Sequence, residues 1–209
     1  PALATWSVIA VDQATGRVVI ASATCVDRDD QFLKGVQAVV VPGKGVAACQ
    51  AAVDGTHENQ MLVFRELQKG TDPARIVELL SVDPAFQSRQ FGIVDLQGRH
   101  AGLSGLGNGY VSQDMQGRVP GTGIYYSIQG NILRPGNVVA HIAYILMAET
   151  GDTNGASHND GTYALYLTVS QPGADRGPGQ VKAGENLNPV KTLRQRYDQW
   201  RRTQPASFR

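Results

Sequence analysis

An excess of charge of either sign is what this sequence most plainly lacks. Its 19 Lys and Arg face 18 Asp and Glu, leaving +1 over 209 residues. Without a basic surplus or a polybasic run, there is no electrostatic basis for gripping a nucleic-acid backbone or an anionic membrane, and neither is an expected partner. Missing too is any apolar run near the ~20 residues of a membrane-spanning helix. Cysteine is scarce: Cys25 and Cys49 are the only two, each beside a run that reads as strand. The pair fits a disulfide if the chain is exported, and two buried thiols if it is cytosolic. Metal-ligand spacing is absent as well. His57-Glu58-Asn59-Gln60-Met61 fails as H-E-x-x-H because Met61 stands where the second imidazole must be. His100, His141 and His158 are scattered, so no metal and no cofactor is expected.

Glycine, by contrast, is plentiful at 24 residues, as a strand-rich chain with many tight turns requires. An apolar content of 42% with 18% charged residues describes a folded chain. Thr5 to Val11 and Arg17 to Ala23 read as strands joined by the turn residues Asp12 to Gly16, and both are apolar on both faces. Val36 to Val41 and Val46 to Ala52 form a second hairpin about Pro42 to Gly45. A helix through Met61, Leu62, Phe64 and Leu67 is capped by Asp54 or Thr56 and stopped by Gly70. Asp72-Pro73 starts another, with Ile76, Val77, Leu79 and Leu80 on its apolar side.

Strands at Phe91 to Asp95 and His100 to Ser104 follow, then a long polar loop over 105–123 and a strand at Tyr125 to Gln129. An apolar helix over Val138 to Glu149, a strand at Thr162 to Ser170, a Pro/Gly-rich connector over 171–188 and a terminal helix at Pro189 to Arg202 complete the chain. Strands apolar on both faces and joined by short hairpins predict an α+β fold, a four-layer α/β/β/α sandwich whose two mainly antiparallel sheets lie between helices. The whole of 1–209 reads as one domain.

Several stretches invite a chemical reading and most lose it. Gly102-Leu103-Ser104-Gly105-Leu106 lacks the second glycine of a nucleophile elbow and runs into a loop instead of a helix. Gly105-Leu106-Gly107-Asn108-Gly109 opens no helix after a parallel strand, so it is loop and no phosphate cradle. Cys49, beside Gln50, has no histidine placed to activate it and reads as packed or bridged. Ser127-Ile128-Gln129-Gly130-Asn131 is more suggestive, since hydroxyl and amide side chains at a strand end can supply oxyanion donors; turn and capping chemistry is the alternative.

The amino-terminal stretch Pro1-Ala2-Leu3-Ala4-Thr5 also carries two readings. It is ordinary chain, or Ala2-Leu3-Ala4 is the small-residue pattern of a signal-peptidase site. Cleavage after Ala4 would give Thr5 a free α-amine next to its hydroxyl, a known way to activate a nucleophile.

Taken together, TWSVIAVDQATGRVVIASA, GVAACQAAVDGTHENQM, FGIVDLQGRHAGLSG, YYSIQGNIL and NPVKTLRQRYDQW resemble the bacterial DUF1028 family of uncharacterised proteins. The resemblance implies a fold similar to the N-terminal nucleophile (Ntn) hydrolases, and the first hairpin looks like the start of a proteasome β-subunit, where a threonine opens the first strand. It places Thr5 at that position and Gln50, Gln129, Gly130 and Asn131 in recurrent motifs. The chain departs from the pattern in a short span over 149–162 and in having no secure counterpart of the lysine that assists a proteasomal threonine. Lys34 lies in a segment that reads as irregular.

The function expected on these grounds is hydrolysis of an amide bond by Thr5, with Gln50 and Asn131 completing the catalytic set. His57, Asn59, Gln129 and Gly130 would bind substrate. A non-catalytic protein that binds a small molecule or peptide in the same fold is the alternative. Export to the periplasm or beyond and self-association as a homo-oligomer are the accompanying expectations.

Overall fold

The computed structural model describes residues 5–24, 30–109, 111–133, 164–171, 174–175, 179–181, 199 and 202–203. The first hairpin is β1 (Thr5–Asp12) and β2 (Arg17–Thr24), paired antiparallel from Thr5↔Thr24 to Asp12↔Arg17. Its turn is built from Asp12, whose Oδ1 accepts from the Ala14 amide at 2.9 Å, and from Gly16 at φ 70, a left-handed conformation that glycine adopts freely. Next come α1 (Asp30–Gln37), β3 (Ala38–Val41) and β4 (Gly45–Ala51), then α2 (Glu58–Lys69) and α3 (Pro73–Leu80). Strands β5 (Arg89–Asp95), β6 (His100–Ser104), β7 (Val111–Arg118) and β8 (Ile124–Leu133) follow. After them lie β9 (Ala164–Gln171) and the short β10 (Ala174–Asp175) and β11 (Gly179–Val181).

These strands form two sheets. One has the order β10-β9-β2-β1-β8-β7, with β11 also on β9, and the other β3-β4-β5-β6. Every pairing among the described residues is antiparallel. The fold is α+β, and β1 is an interior strand held by β2 and β8. Alternation divides each strand between two environments. Odd residues of β3, β4 and β5 (Val39, Val41, Ala47, Cys49, Phe91, Ile93) pack under Val63 and Leu67 of α2 and Ile76 and Leu80 of α3. Even residues of β4 and β5 face the other sheet, where Val46, Ala48 and Val94 meet Ile9, Val11, Val18 and Ile20. Both apolar faces of β4, and the Ile9–Val11 face of β1, are thereby accounted for.

Several sequence expectations need correction. The helix α1 occupies 30–37, so Lys34 is helical and the strand before Pro42 starts only at Ala38. The stretch 105–123 contains β7, a full strand of eight residues. The 171–188 connector includes β10 and β11, paired with β9. The expected helix over 138–149 and nearly all of that over 189–202 lie outside the described residues, as do His141 and His158.

Candidate active site

The layer between the sheets changes character along β1. Ile9 and Val11 lie in its apolar part, whereas Ser7 and Thr5, on the same face, lie in a part composed of hydroxyls and amides. Neighbouring strands continue the change in register. Across β1–β2, Ser7 pairs with Ser22 and Thr5 with Thr24; across β1–β8, Ser7 pairs with Gln129 and Thr5 with Asn131. From the facing sheet, Gln50 and Gln90 are register partners on β4 and β5. All of these side chains are buried, with Gln90, Gln129, Ser7 and Ser22 at 0% exposure. A buried polar group costs stability unless hydrogen-bonded; here Ser22 Oγ donates to the Trp6 carbonyl at 2.8 Å and the other groups bond to one another.

Ser7 Oγ donates to Gln50 Oε1 at 2.7 Å, and the Gln129 amide donates to Ser7 Oγ. Gln37, at the end of α1, donates to the same Gln50 oxygen at 2.6 Å. Gln50 Nε2 is directed at Gln90 Oε1 (2.7 Å) and the Gln129 carbonyl (3.5 Å). Gln90 Oε1 accepts a second bond from Asn131 Nδ2 at 3.2 Å. Gln90 Nε2 reaches Ser104 Oγ at 2.7 Å and the Gly130 carbonyl at 2.9 Å. The glutamines are packed as tightly as they are bonded: a Cβ on Gly92 would stand 2.0 Å from Gln129 Oε1, and one on Gly102 2.0 Å from Gln116 Nε2. Through Gln116 the network reaches a carboxylate, that of Asp114, at 3.0 Å.

Thr5 lies at the far end of this polar region. Its Oγ1 is 2.8 Å from Thr24 Oγ1, and Asn131 stands opposite on β8. Among the described residues no ionisable side chain hydrogen-bonds to Thr5. Two backbone features mark the same end. Ala51 (φ 76) and Ile132 (φ 53), which immediately follow Gln50 and Asn131, are held in the left-handed region that side chains with a Cβ avoid. For a β-branched isoleucine this is a genuine outlier, and such outliers gather at functional sites.

The other residues singled out from the sequence are placed differently. Thr5, Gln50, Gln129 and Asn131 converge in the interior, whereas Gly130 turns its Cα toward Leu133 and Trp6 and joins the network only through its carbonyl. His57 is exposed at the start of α2 with φ 61, its Nδ1 2.8 Å from Gln60 Oε1. Asn59 is buried and committed to structure. Its Nδ2 donates to Asp83 Oδ2 at 2.6 Å and its backbone amide to Asp54 Oδ2 at 3.0 Å. Arg89 closes this group by donating to Asp83 at 2.8 Å and to the Ala52 carbonyl at 2.6 Å. Cys49 is a free thiol on the helix side of β4; burial, reinforced by Asp54 and only partly offset by Arg89, pushes it up to about 12. Cys25 lies outside the described residues.

Gln90 went unrecognised in the sequence, as did Ser7 and Thr24. A single cue was available for Ser7 and Thr24, since each interrupts an apolar strand face with a hydroxyl. Nothing adjacent to Gln90 singled it out.

Residues 5–154 match the family model DUF1028, a family of unknown function. The crystal structure of protein SPO2555 from Silicibacter pomeroyi, also ascribed to DUF1028, has a similar fold, with a TM-score of 0.75 at 20% identity, covering 98% of this chain and 91% of that chain. At that identity the likeness concerns the fold alone. Among curated proteins nothing matches the sequence.

Proposed function

This chain belongs to the DUF1028 family, and from that premise we propose that it is an Ntn-hydrolase-like protein that cleaves an amide bond with Thr5 as nucleophile. The observation that carries the reading is the position of Thr5. It opens an interior strand at the polar end of the intersheet layer, with its hydroxyl 2.8 Å from that of Thr24 and Asn131 directly across the ladder. In this reading the two sheets are the centre of a four-layer α/β/β/α sandwich formed by one domain. The active chain begins at Thr5 after export and removal of the residues before it.

The chemistry then needs only the threonine. Thr5 Oγ1 attacks the carbonyl carbon of the substrate amide while its proton passes to the Thr5 α-amine, whose ordinary pKa of about 7.7–8.0 suits a base near neutral pH. The tetrahedral oxyanion is stabilised by hydrogen-bond donors, among which Asn131 is the nearest side-chain amide by register. Collapse breaks the carbon–nitrogen bond, and the α-ammonium returns the proton to the departing amine. Water, deprotonated by the same α-amine, hydrolyses the ester left on Thr5. Gln50 holds the layer together in this scheme, because its amide protons are directed at Gln90 and the Gln129 carbonyl. The substrate is a small molecule or a peptide.

That engagement also favours a second reading, a protein that keeps the fold and binds a ligand without reacting, since its interior amides are spent on one another. One comparison separates the two. A chain released to begin at Thr5 is treated with an amide-mimicking β-lactone, beside its Thr5→Ala counterpart, and the mass added to each is measured. Label on the first and none on the second supports the hydrolase. Equal labelling, or none on either, supports the binder.

A further inference from the structure

We propose that Thr24 is a positioning residue for the Thr5 nucleophile, an inference that rests on the hydrolase reading above. Thr5 and Thr24 are Cα partners at the last rung of the β1–β2 hairpin, so the backbone itself holds the two side chains side by side. Their oxygens are 2.8 Å apart, and Thr24 is 3% exposed, so the contact is protected from competing water. A β-branched side chain is already stiff about χ1. The hydroxyl–hydroxyl bond selects one of the remaining rotamers and fixes Thr5 Oγ1 in the polar layer instead of letting it turn toward solvent. Asn131 flanks Thr5 on the other side, leaving the nucleophile between one strand that orients it and another that offers an amide.

Thr24 has no part in moving the proton in this scheme. The proton of Thr5 Oγ1 goes to the α-amine, and the Thr24 hydroxyl stays bonded to the same oxygen before and after acylation. What it supplies is geometry, and misplacement of a reacting atom lowers rate without altering the base.

The test uses the chain beginning at Thr5 and the rate of β-lactone acylation as a function of pH, with Thr24→Val and Thr24→Ser as the informative pair. Valine keeps the shape and removes the hydrogen bond; serine keeps the bond. The expected result is a plateau rate lowered about fivefold in T24V, the factor a single neutral hydrogen bond carries. Its pH midpoint should be unchanged, and T24S should stay close to the parent. Should T24V fail to fold, T24A replaces it in the same comparison. A plateau unchanged in T24V, or lowered equally in T24S, overturns the positioning role, and so does a shifted midpoint, which would put Thr24 in the proton path. A parent chain that takes up no label overturns the hydrolase reading itself, and this inference with it.

Discussion

Gln50 and Gln90 are bonded side chain to side chain inside the protein: adjacent on β4 and β5, they project into the intersheet layer with Gln50 Nε2 2.7 Å from Gln90 Oε1. Gln90 is the hub of the layer, since its one oxygen serves both Gln50 and Asn131 and its amide binds β6 and β8. Replacing Gln90 by leucine keeps the volume but takes the Oε1 acceptor from Asn131 Nδ2 and from Gln50 Nε2, which keeps only the long 3.5 Å contact to the Gln129 carbonyl. Unsatisfied buried donors cost far more than a hydrogen bond gains, so Gln90→Leu is expected to lower stability by about 3 kcal/mol. Urea unfolding measures this. A loss below about 1 kcal/mol, in the range of surface substitutions, would show that the amides find other partners.

The unequal legibility of the sequence follows from the same layer. β1, β2 and α3 were readable because their signals are local: alternating apolar faces, the Asp12 to Gly16 turn, and Asp72 accepting from the Ala74 amide at 2.9 Å ahead of Pro73. β7 was not readable, because its inward residues Ser112, Asp114 and Gln116 meet a polar neighbourhood, so no apolar alternation distinguishes it from a loop. Thr5 and Asn131 could be named from the family's motifs, whereas their register, and Gln90 between the sheets, depend on contacts some forty residues or more away in the chain. Polar residues inside a protein carry no periodic mark; only the fold tells them from surface.

Gly92 tests how rigid that layer is. A methyl there would meet Gln129 Oε1 at 2.0 Å and Ser127 Oγ at 2.7 Å, and Gln129 is held in place by Ser7 and Ser127. Gly92→Ala is therefore expected to cost roughly 2–3 kcal/mol by overpacking. Combined with Gln129→Ala, which clears the space, the two changes should cost less than their sum. Thermal unfolding of the four chains completes the cycle. Additive losses would mean that the layer opens to admit the methyl.

Cys49 should be inert. With its thiol pushed up to about 12 by burial and by Asp54, on the order of one molecule in ten thousand carries the thiolate at pH 8, and the thiolate is the reactive form. Alkylation of the native chain with iodoacetamide, followed by digestion and mass analysis, should leave the Cys49 peptide unmodified. The same treatment in urea should modify it fully. Modification of Cys49 in the native chain would mean that the space beneath α2 is open to reagent.

Acid should loosen the Asp54–Asp83–Arg89 group at the start of α2 before the buried amides. Burial works against ionisation of Asp83, but bonds from Arg89, Asn59 and the Ala85 amide outweigh it and hold the carboxyl below the usual range. Asp54 is lowered in the same way: burial opposes, and Thr56, the Asn59 amide and the charge of Arg89 prevail. A carboxyl depressed in the native state binds fewer protons there than in the unfolded chain. Its contribution is complete above the unfolded value of about 3.9 and is lost as pH falls through the native value. Stability measured by urea unfolding should therefore be flat in this respect at neutral pH and decline below about pH 4. Asp83→Asn should be less stable at pH 7 and show a shallower decline in acid. The Arg89–Asp83 pair is little screened, with side chains 11% and 13% exposed, so moderate salt should change this slope little. An Asp83→Asn chain with the parent's acid slope would shift the acid sensitivity to other carboxylates and detach the start of α2 from it. Arg89 immediately precedes Gln90 on β5, so the strand that carries the charge anchoring Asp83 also carries the hub of the buried amides.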